Sequence, residues 1–251
     1  MAMYLGSKKV VVTNTLKKPS MKPFFDAGGK CSKSTATSFE GIIKYDDTVN
    51  VTDMDDMFYG CRSLATVPLF DTANVTNMNE MFCGCSKLTT IPLFNSAKVT
   101  NMNYMFYGCS ELQTVPQFDT SNVVWMQYMF KDCSKLTTVP LFDTSKVSWM
   151  NYMFAYCSKL ITVPAFNASK ASLNFIFIGC SSLETIHMIN INSDLDISAS
   201  TKFTREALLE IIGNLKARKS THATLTMGST NLAKLTDEDK AIATNKGWTL
   251  A

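Results

Sequence analysis

The sequence predicts an α/β solenoid, and three observations predict it: a period of about 24 residues, columns of like residues held in register on that period, and two different hydrophobic patterns inside each unit. Aligned on Cys61, the same residue returns at Cys85, Cys109, Cys133, Cys157 and Cys180, at spacings of 24, 24, 24, 24 and 23. Phe58, Phe82, Phe106, Phe130, Phe154 and Phe177 keep step, as do Leu64, Leu88, Leu112, Leu136, Leu160 and Leu183. Pro68, Pro92, Pro116, Pro140 and Pro164 follow, and so do Phe70, Phe94, Phe118, Phe142 and Phe166. Columns of this kind mark units that bury their apolar faces only against their neighbours.

Each unit divides into a helical piece and an extended one. In the second full unit Val75, Met78, Met81, Phe82 and Cys85 lie at offsets 0, 3, 6, 7 and 10, which places them on one face of a short helix. Leu88-Thr89-Thr90-Ile91-Pro92-Leu93-Phe94 is β-branched and aromatic and has the length of a strand, with a proline suited to a strand end. Asp71-Thr72-Ala73-Asn74, Asp119-Thr120-Ser121-Asn122 and Asp143-Thr144-Ser145-Lys146 supply turn and N-cap chemistry before the next helix.

The ends depart from the period. Residues 1–38 read as a strand over Met3–Val12 with a tight glycine, then a connector rich in Lys, Pro, Gly and Ser; Thr37 to Tyr45 begins the N-terminal cap of a solenoid spanning 39–192. In the sixth unit His187 stands at the proline position, Ile189 replaces phenylalanine and one residue is missing. Residues 193–251 read as an α/β cap: a helix from Thr204 to Arg218 with Thr204 as N-cap and Leu208, Leu209, Ile211, Ile212 and Leu215 inside, a strand over Ala223–Met227, a helix over Thr236–Asn245 and a strand over Trp248–Leu250.

The pattern V-T-N-M-x-x-M-F-x-G-C-S-x-L-T-T-[VI]-P-x-F-D-T-S, clearest across residues 75–121, resembles the BspA-like family of bacterial leucine-rich repeat surface proteins over about residues 48–190. The resemblance implies right-handed leucine-rich-repeat-type coils, a parallel sheet on one side with short helices on the other, and attachment to surfaces or host molecules. The ending from Leu225 to Leu250 is similar to the ends of many such proteins. The opening Tyr4-Leu5-Gly6 resembles the starts of tail-associated proteins from phages and prophages of gut bacteria, over about ten residues.

Composition narrows the function classes. A chain of 251 residues that is 46% hydrophobic can bury a substantial core. With 24 basic against 21 acidic side chains, a net charge of +3 calls for neither a nucleic-acid nor a membrane partner. The surplus is local: Lys8, Lys9, Lys17, Lys18, Lys22, Lys30, Lys33 and Lys44 face only Asp26 and Glu40, and read as a solvated basic end. No stretch approaches the roughly 20 apolar residues of a membrane span, and no basic-then-apolar signal peptide opens the chain, so a virion or extracellular surface reached without either is the expected location.

Six of the eight cysteines share a column beside phenylalanine, which predicts packed, reduced thiols rather than disulfides or a metal site. Met54, Met78, Met102, Met126 and Met150, with Met57, Met81, Met105, Met129 and Met153, read as adaptable core filling. His187 and His222 belong to the cap region, and no catalytic, metal or cofactor motif is present, so the chain reads as a non-enzyme.

The remaining candidate is aromatic. On the helical template the column Asp56, Glu80, Tyr104, Tyr128, Tyr152, Phe175 turns away from the core, and the neighbouring column becomes Trp125 and Trp149 in the later units. Tyr104, Trp125, Tyr128, Trp149, Tyr152 and Phe175 are therefore expected to form a continuous, largely exposed patch, either a partner surface or a stack that stiffens the rod. The column Thr66, Thr90, Thr114, Thr138, Thr162 and Thr185 reads as β-propensity on a solvated face. The expected function is non-enzymatic adhesion, as a phage or prophage tail component that presents a solenoid face to a host-surface protein or glycan. Alternatives are a bacterial cell-surface adhesin and a structural virion protein that associates with its own copies.

Overall fold

The computed structural model describes residues 2–5, 8–11, 21–218 and 223–251. The repeats stack as a solenoid around an interior of two phenylalanine ladders. Phe58, Phe82, Phe106, Phe130, Phe154 and Phe177 stack at centroid distances of 5.3, 5.7, 5.5, 5.7 and 6.0 Å, with ring planes within 10° of parallel. Phe70, Phe94, Phe118, Phe142 and Phe166 form the second ladder against it, and all of these rings are buried.

The expected helix in each unit is absent, and a run of tight turns takes its place. In the coil of residues 126–136 the N–H groups of Met129, Lys131, Cys133 and Leu136 close turns onto the carbonyls of Met126, Tyr128, Phe130 and Cys133 at 3.0–3.4 Å. The intervening N–H groups, of Met126, Tyr128, Phe130 and Asp132, donate instead to Trp149, Asn151, Met153 and Ala155 of the next coil at 2.8–3.0 Å. An α-helix would spend every N–H on its own carbonyls and leave nothing to join coil to coil. The turn ladder divides the same groups between both tasks, and isolated parallel bridges run along it from Asp53 through Asn77, Asn101, Trp125 and Trp149 to Ser172.

Two positions per coil carry this geometry. Asp56, Glu80, Tyr104, Tyr128, Tyr152 and Phe175 have φ of 52–58°, and Gly60, Gly84, Gly108, Asp132, Tyr156 and Gly179 have φ of 61–75°. Both are third positions of four-residue turns, where a type II turn requires positive φ. Apolar spacing alone does not separate such a stair of turns from a helix, because both return a side chain to the interior every three to four residues.

The opposite side also departs from expectation. In place of a continuous parallel sheet, the solenoid has one regular pair there, β3 (Thr162–Val163) beside β4 (Thr185–Ile186). Proline explains the difference. Pro68, Pro92, Pro116, Pro140 and Pro164 bring no N–H to the ladder. The pair forms where His187 replaces proline, and the His187 N–H donates to the Val163 carbonyl at 2.9 Å.

Buried side-chain hydroxyls are satisfied along the rod. Thr72, Ser96, Thr120 and Thr144 each donate a hydroxyl to a carbonyl of the next coil, at 2.8–3.1 Å. The eight cysteines are free and buried. From Cys85 onward those of the column donate back to phenylalanine carbonyls, as from Cys109 Sγ to Phe82 and from Cys133 Sγ to Phe106, at 3.2 and 3.1 Å, while Cys61 donates to the Cys31 carbonyl.

The ends follow their own rules. β1 (Ala2–Leu5) and β2 (Lys8–Val11) pair antiparallel, so the single expected strand over Met3–Val12 is a hairpin; its turn, connector residues 12–20 and His222 lie outside the described residues. The connector contains α1 (Lys22–Asp26), which carries Pro23 in its first turn and is an element the sequence did not suggest. At the far end β5 (Leu195–Asp196), β6 (Ala223–Thr226) and β7 (Trp248–Leu250) form a parallel sheet in that order. α2 (Arg205–Gly213), capped by Thr204, stops five residues before Arg218 because Leu215 leaves to bridge Ile191. α3 (Ser229–Leu232) is an element the sequence did not suggest, and α4 (Asp237–Asn245) is held by Asp239, which closes its capping box and accepts a two-pronged contact from Arg205 at 2.7 and 2.8 Å.

Glycine replacement tests this geometry with opposite signs. Gly84→Ala forces a Cβ into positive φ and is expected to cost about 1–2 kcal/mol. Gly213→Ala, in an open helical position, is expected to stabilise by about 0.5–1 kcal/mol. Denaturant unfolding of both variants measures the difference.

Candidate functional site

The aromatic residues singled out in the sequence fall on the turn side, in two arrangements. Tyr104, Tyr128, Tyr152 and Phe175 stack face to face at 4.5, 4.8 and 4.9 Å. These distances match the spacing of adjacent backbone rungs, so the coil repeat itself sets the stack. The three tyrosines are half-buried and Phe175 is 51% exposed, which corrects the expectation of a largely exposed patch: neighbouring rings cover one another's faces and leave edges and hydroxyls outward. Trp125 and Trp149 sit on successive rungs of the bridge ladder, 41% and 45% exposed. Among the described residues no ring contact joins them to the tyrosines, so the patch is a stack flanked by two separate indoles.

Every ring of the stack stands at positive φ, a conformation that is unfavourable for a bulky side chain. Asp56 and Glu80 hold the same position in the first coils, and asparagine or glycine would suit the backbone better. Stacking is worth about 0.5–1.5 kcal/mol per pair, which is enough to offset much of that strain. Burial, then neighbouring Tyr128 and Glu80, push the Tyr104 hydroxyl above its ordinary value, so at neutral pH it remains a donor.

Lys131, which the sequence reading passed over, lies amid the aromatic side: its Nζ is 5.1 Å from the Tyr107 ring, 5.7 Å from Tyr156 and 6.0 Å from Tyr128. It also pairs with Asp132 at 3.8 Å. Its own column reads Tyr59, Cys83, Tyr107, Lys131, Ala155 and Ile178, and gives no periodic cue to a cation. The N-terminal end of the same side is acidic. Burial and the adjacent Asp55 raise the Asp56 carboxyl, burial and Asp56 raise that of Glu80, and burial with both carboxylates pushes the Cys83 thiol up to about 12.

At the other end the turn ladder stops. The N–H groups of Leu173, Phe175, Phe177 and Gly179 occupy the positions that donate forward in every earlier coil, yet among the described residues they meet no acceptor. An unpaired buried donor costs about 1–3 kcal/mol, and Leu173 and Phe177 are buried. Beside this last rung is a cleft of about 200 Å³ lined by Leu173, Asn174, Phe175, Asp194, Leu195, Asp196 and Thr226. The loss of period after Cys180 is its only trace in the sequence.

The threonine column, from Thr66 to Thr138, is exposed on the opposite side, alongside Leu69, Leu93 and Leu141. Gln117 and Ala165 interrupt that leucine stripe. Among the described residues there is no cluster of three metal-ligating side chains, and no helix is long and apolar enough to cross a membrane.

Raised carboxyls give the acidic end a pH signature. Asp56 and Glu80 hold protons more tightly folded than unfolded, so stability falls as pH rises through their folded values, and their contribution is fully present below the unfolded carboxylate range near pH 4. Asp56→Asn keeps a residue tolerant of positive φ and removes the charge. It is expected to stabilise the protein by about 0.5 kcal/mol at pH 7 and to have no effect at pH 3, read by thermal unfolding at both.

No curated protein matches the chain. Among solved structures it is similar to a leucine-rich repeat protein of T. pallidum, with 16% identity and a TM-score of 0.42 over 89% of this chain and 90% of that one. A leucine-rich repeat protein from Bacteroides ovatus ATCC 8483 matches with 18% identity and a TM-score of 0.27, over 78% of this chain and 56% of that one. A family model described as "Mycoplasma protein of unknown function, DUF285" matches residues 30–136 and 84–188, together more than half of the sequence. The chain belongs to this DUF285 family.

Proposed function

We propose that this protein is a non-catalytic binding protein that meets a partner protein through the aromatic part of its turn side. The observation that carries the reading is the pair Trp125 and Trp149, left 41% and 45% exposed on adjacent rungs beside the tyrosine stack. Tryptophan and tyrosine are the side chains that dominate protein interfaces, because they offer a large apolar body with a polar tip. The tyrosine stack favours a protein over a sugar as partner, since its ring faces are already covered and its edges and hydroxyls point outward. A rigid row of rings also loses little side-chain freedom on binding.

In its finer form the reading puts the partner on a host-cell surface and the chain in a virion or prophage tail, with the Tyr4-Leu5-Gly6 opening as support. Tail and lysis genes on either side of the coding gene are expected on that reading; an isolated locus rejects it.

The Trp125→Ala/Trp149→Ala double variant tests the interface. Both side chains are exposed, so folding as judged by circular dichroism is expected to persist, while binding to intact host cells falls at least about tenfold, the scale of one hot-spot residue. Loss of a dimer in place of cell binding would identify the partner as a second copy. Unchanged cell binding and unchanged mass in a folded variant would overturn the reading.

A further inference from the structure

We propose that the cleft at the end of the tyrosine stack receives one arginine side chain of the partner protein. The inference deepens the reading of the turn side as a protein-binding face and rests on it. Three features converge in the cleft, each fitting a different part of such a residue.

The first is the open face of Phe175. One face stacks on Tyr152 at 4.9 Å, the residue also lines the cleft, and among the described residues no second ring contacts it. A planar cation continues the stack at that point.

The second is charge. Asp194 and Asp196 both line the cleft. Each is held through Oδ1 alone, Asp194 by the Thr224 N–H at 2.8 Å and Asp196 by the Ser198 N–H and hydroxyl at 2.9 and 2.6 Å. The Oδ2 atoms have no protein donor among the described residues. A guanidinium presents several N–H groups in one plane, so it can stack flat on a ring while its edge bonds two carboxylates; a lysine ammonium has no plane to stack.

The third is the unfinished rung. Earlier coils satisfy their forward N–H groups with carbonyls two residues apart on the neighbouring chain, as Met126 and Tyr128 do with Trp149 and Asn151. Of the equivalent pair here, Leu173 is buried, whereas Phe175 is exposed at the cleft wall, so a carbonyl of the partner's backbone can supply the acceptor missing at Phe175. At about 200 Å³ the cleft is below the usual 300–1,000 Å³ of a small-molecule pocket and suits one side chain.

The probe is the peptide acetyl-Gly-Arg-Gly-amide, titrated into the ¹⁵N-labelled full chain, with the citrulline and lysine peptides as controls. The arginine peptide is expected to shift the Phe175 amide signal. The citrulline peptide, equal in shape but uncharged, is expected to bind at least about tenfold more weakly, as is the arginine peptide to the Asp194→Asn/Asp196→Asn variant. Phe175→Leu keeps an apolar side chain without a ring and is expected to weaken binding about threefold. Equal binding of arginine and citrulline peptides, or no shift at Phe175, overturns the proposal. Trp125→Ala/Trp149→Ala separates the two readings: it is expected to bind the probe as the wild type does while losing cell binding. Probe binding that survives alongside unaltered cell binding rejects the tryptophan interface alone, and cell binding lost without any probe binding rejects the arginine cleft alone.

Discussion

Adjacent coils of this protein are joined by N–H groups taken from every second residue of a turn, and most of what is distinctive in the structure follows from that division. A residue that donates forward cannot also close a turn on its own coil, so turn-closing and coil-joining residues alternate. Alternation demands positive φ at two places in each coil, one occupied mostly by glycine and the other by the aspartate-to-tyrosine column. The rung spacing then brings side chains of one column into van der Waals range of the next. Phenylalanines stack inside and tyrosines outside for the same reason. The structure is close to one-dimensional, with each coil stabilised by its two neighbours.

The order of the columns and their inward positions could be read from the sequence because identity on a fixed period needs no knowledge of backbone conformation. Phe82, Cys85, Leu88 and Phe94 are buried as the pattern requires. The conformation of the segment between Val75 and Cys85 could not be read in the same way. Helix and turn stair share the apolar spacing, and the discriminating signals were local: Gly84 before Cys85, and Asn77 and Asn101, whose side chains accept the N–H groups of Asn79 and Asn103 at 3.0 Å. Such Asx contacts favour turns over helix. The proline column likewise carried more weight than the β-branched residues around it, as His187 demonstrates by restoring a strand pair where proline is lost.

For the candidate site, the sequence indicated which aromatic residues share a face but not how they meet. The helical template puts Tyr104, Tyr128 and Tyr152 in one column without fixing their contact, whereas the turn ladder brings neighbouring rings to within 5 Å of one another. Lys131 and the cleft at Phe175 were invisible for a more basic reason. Both depend on a break in the repeat, and a break says that something changes without saying what it becomes. Lys131 enters a column that elsewhere holds Tyr, Cys, Ala and Ile, and it finds its aromatic partners on two neighbouring coils.

The end of the ladder connects fold to function. A solenoid whose inter-coil hydrogen bonds all point the same way along one side must finish with a row of unused donors, just as an α-helix finishes with unused carbonyls. At its start this chain resolves the complementary problem, with the Cys31 and Lys33 N–H groups meeting the first coil's Met57 and Tyr59 carbonyls at 2.7 and 2.6 Å. At its finish β5 diverts into the cap sheet with β6 and β7 and offers the last rung no equivalent carbonyls. The cap therefore seals the phenylalanine core, with Phe177 buried, while leaving Phe175 and the adjoining N–H groups at the edge of a cleft. Apolar burial and backbone pairing, which end together in a fully capped rod, end at different places here. The offset between them is where this protein has both an open aromatic face and unpaired donors within one coil of each other.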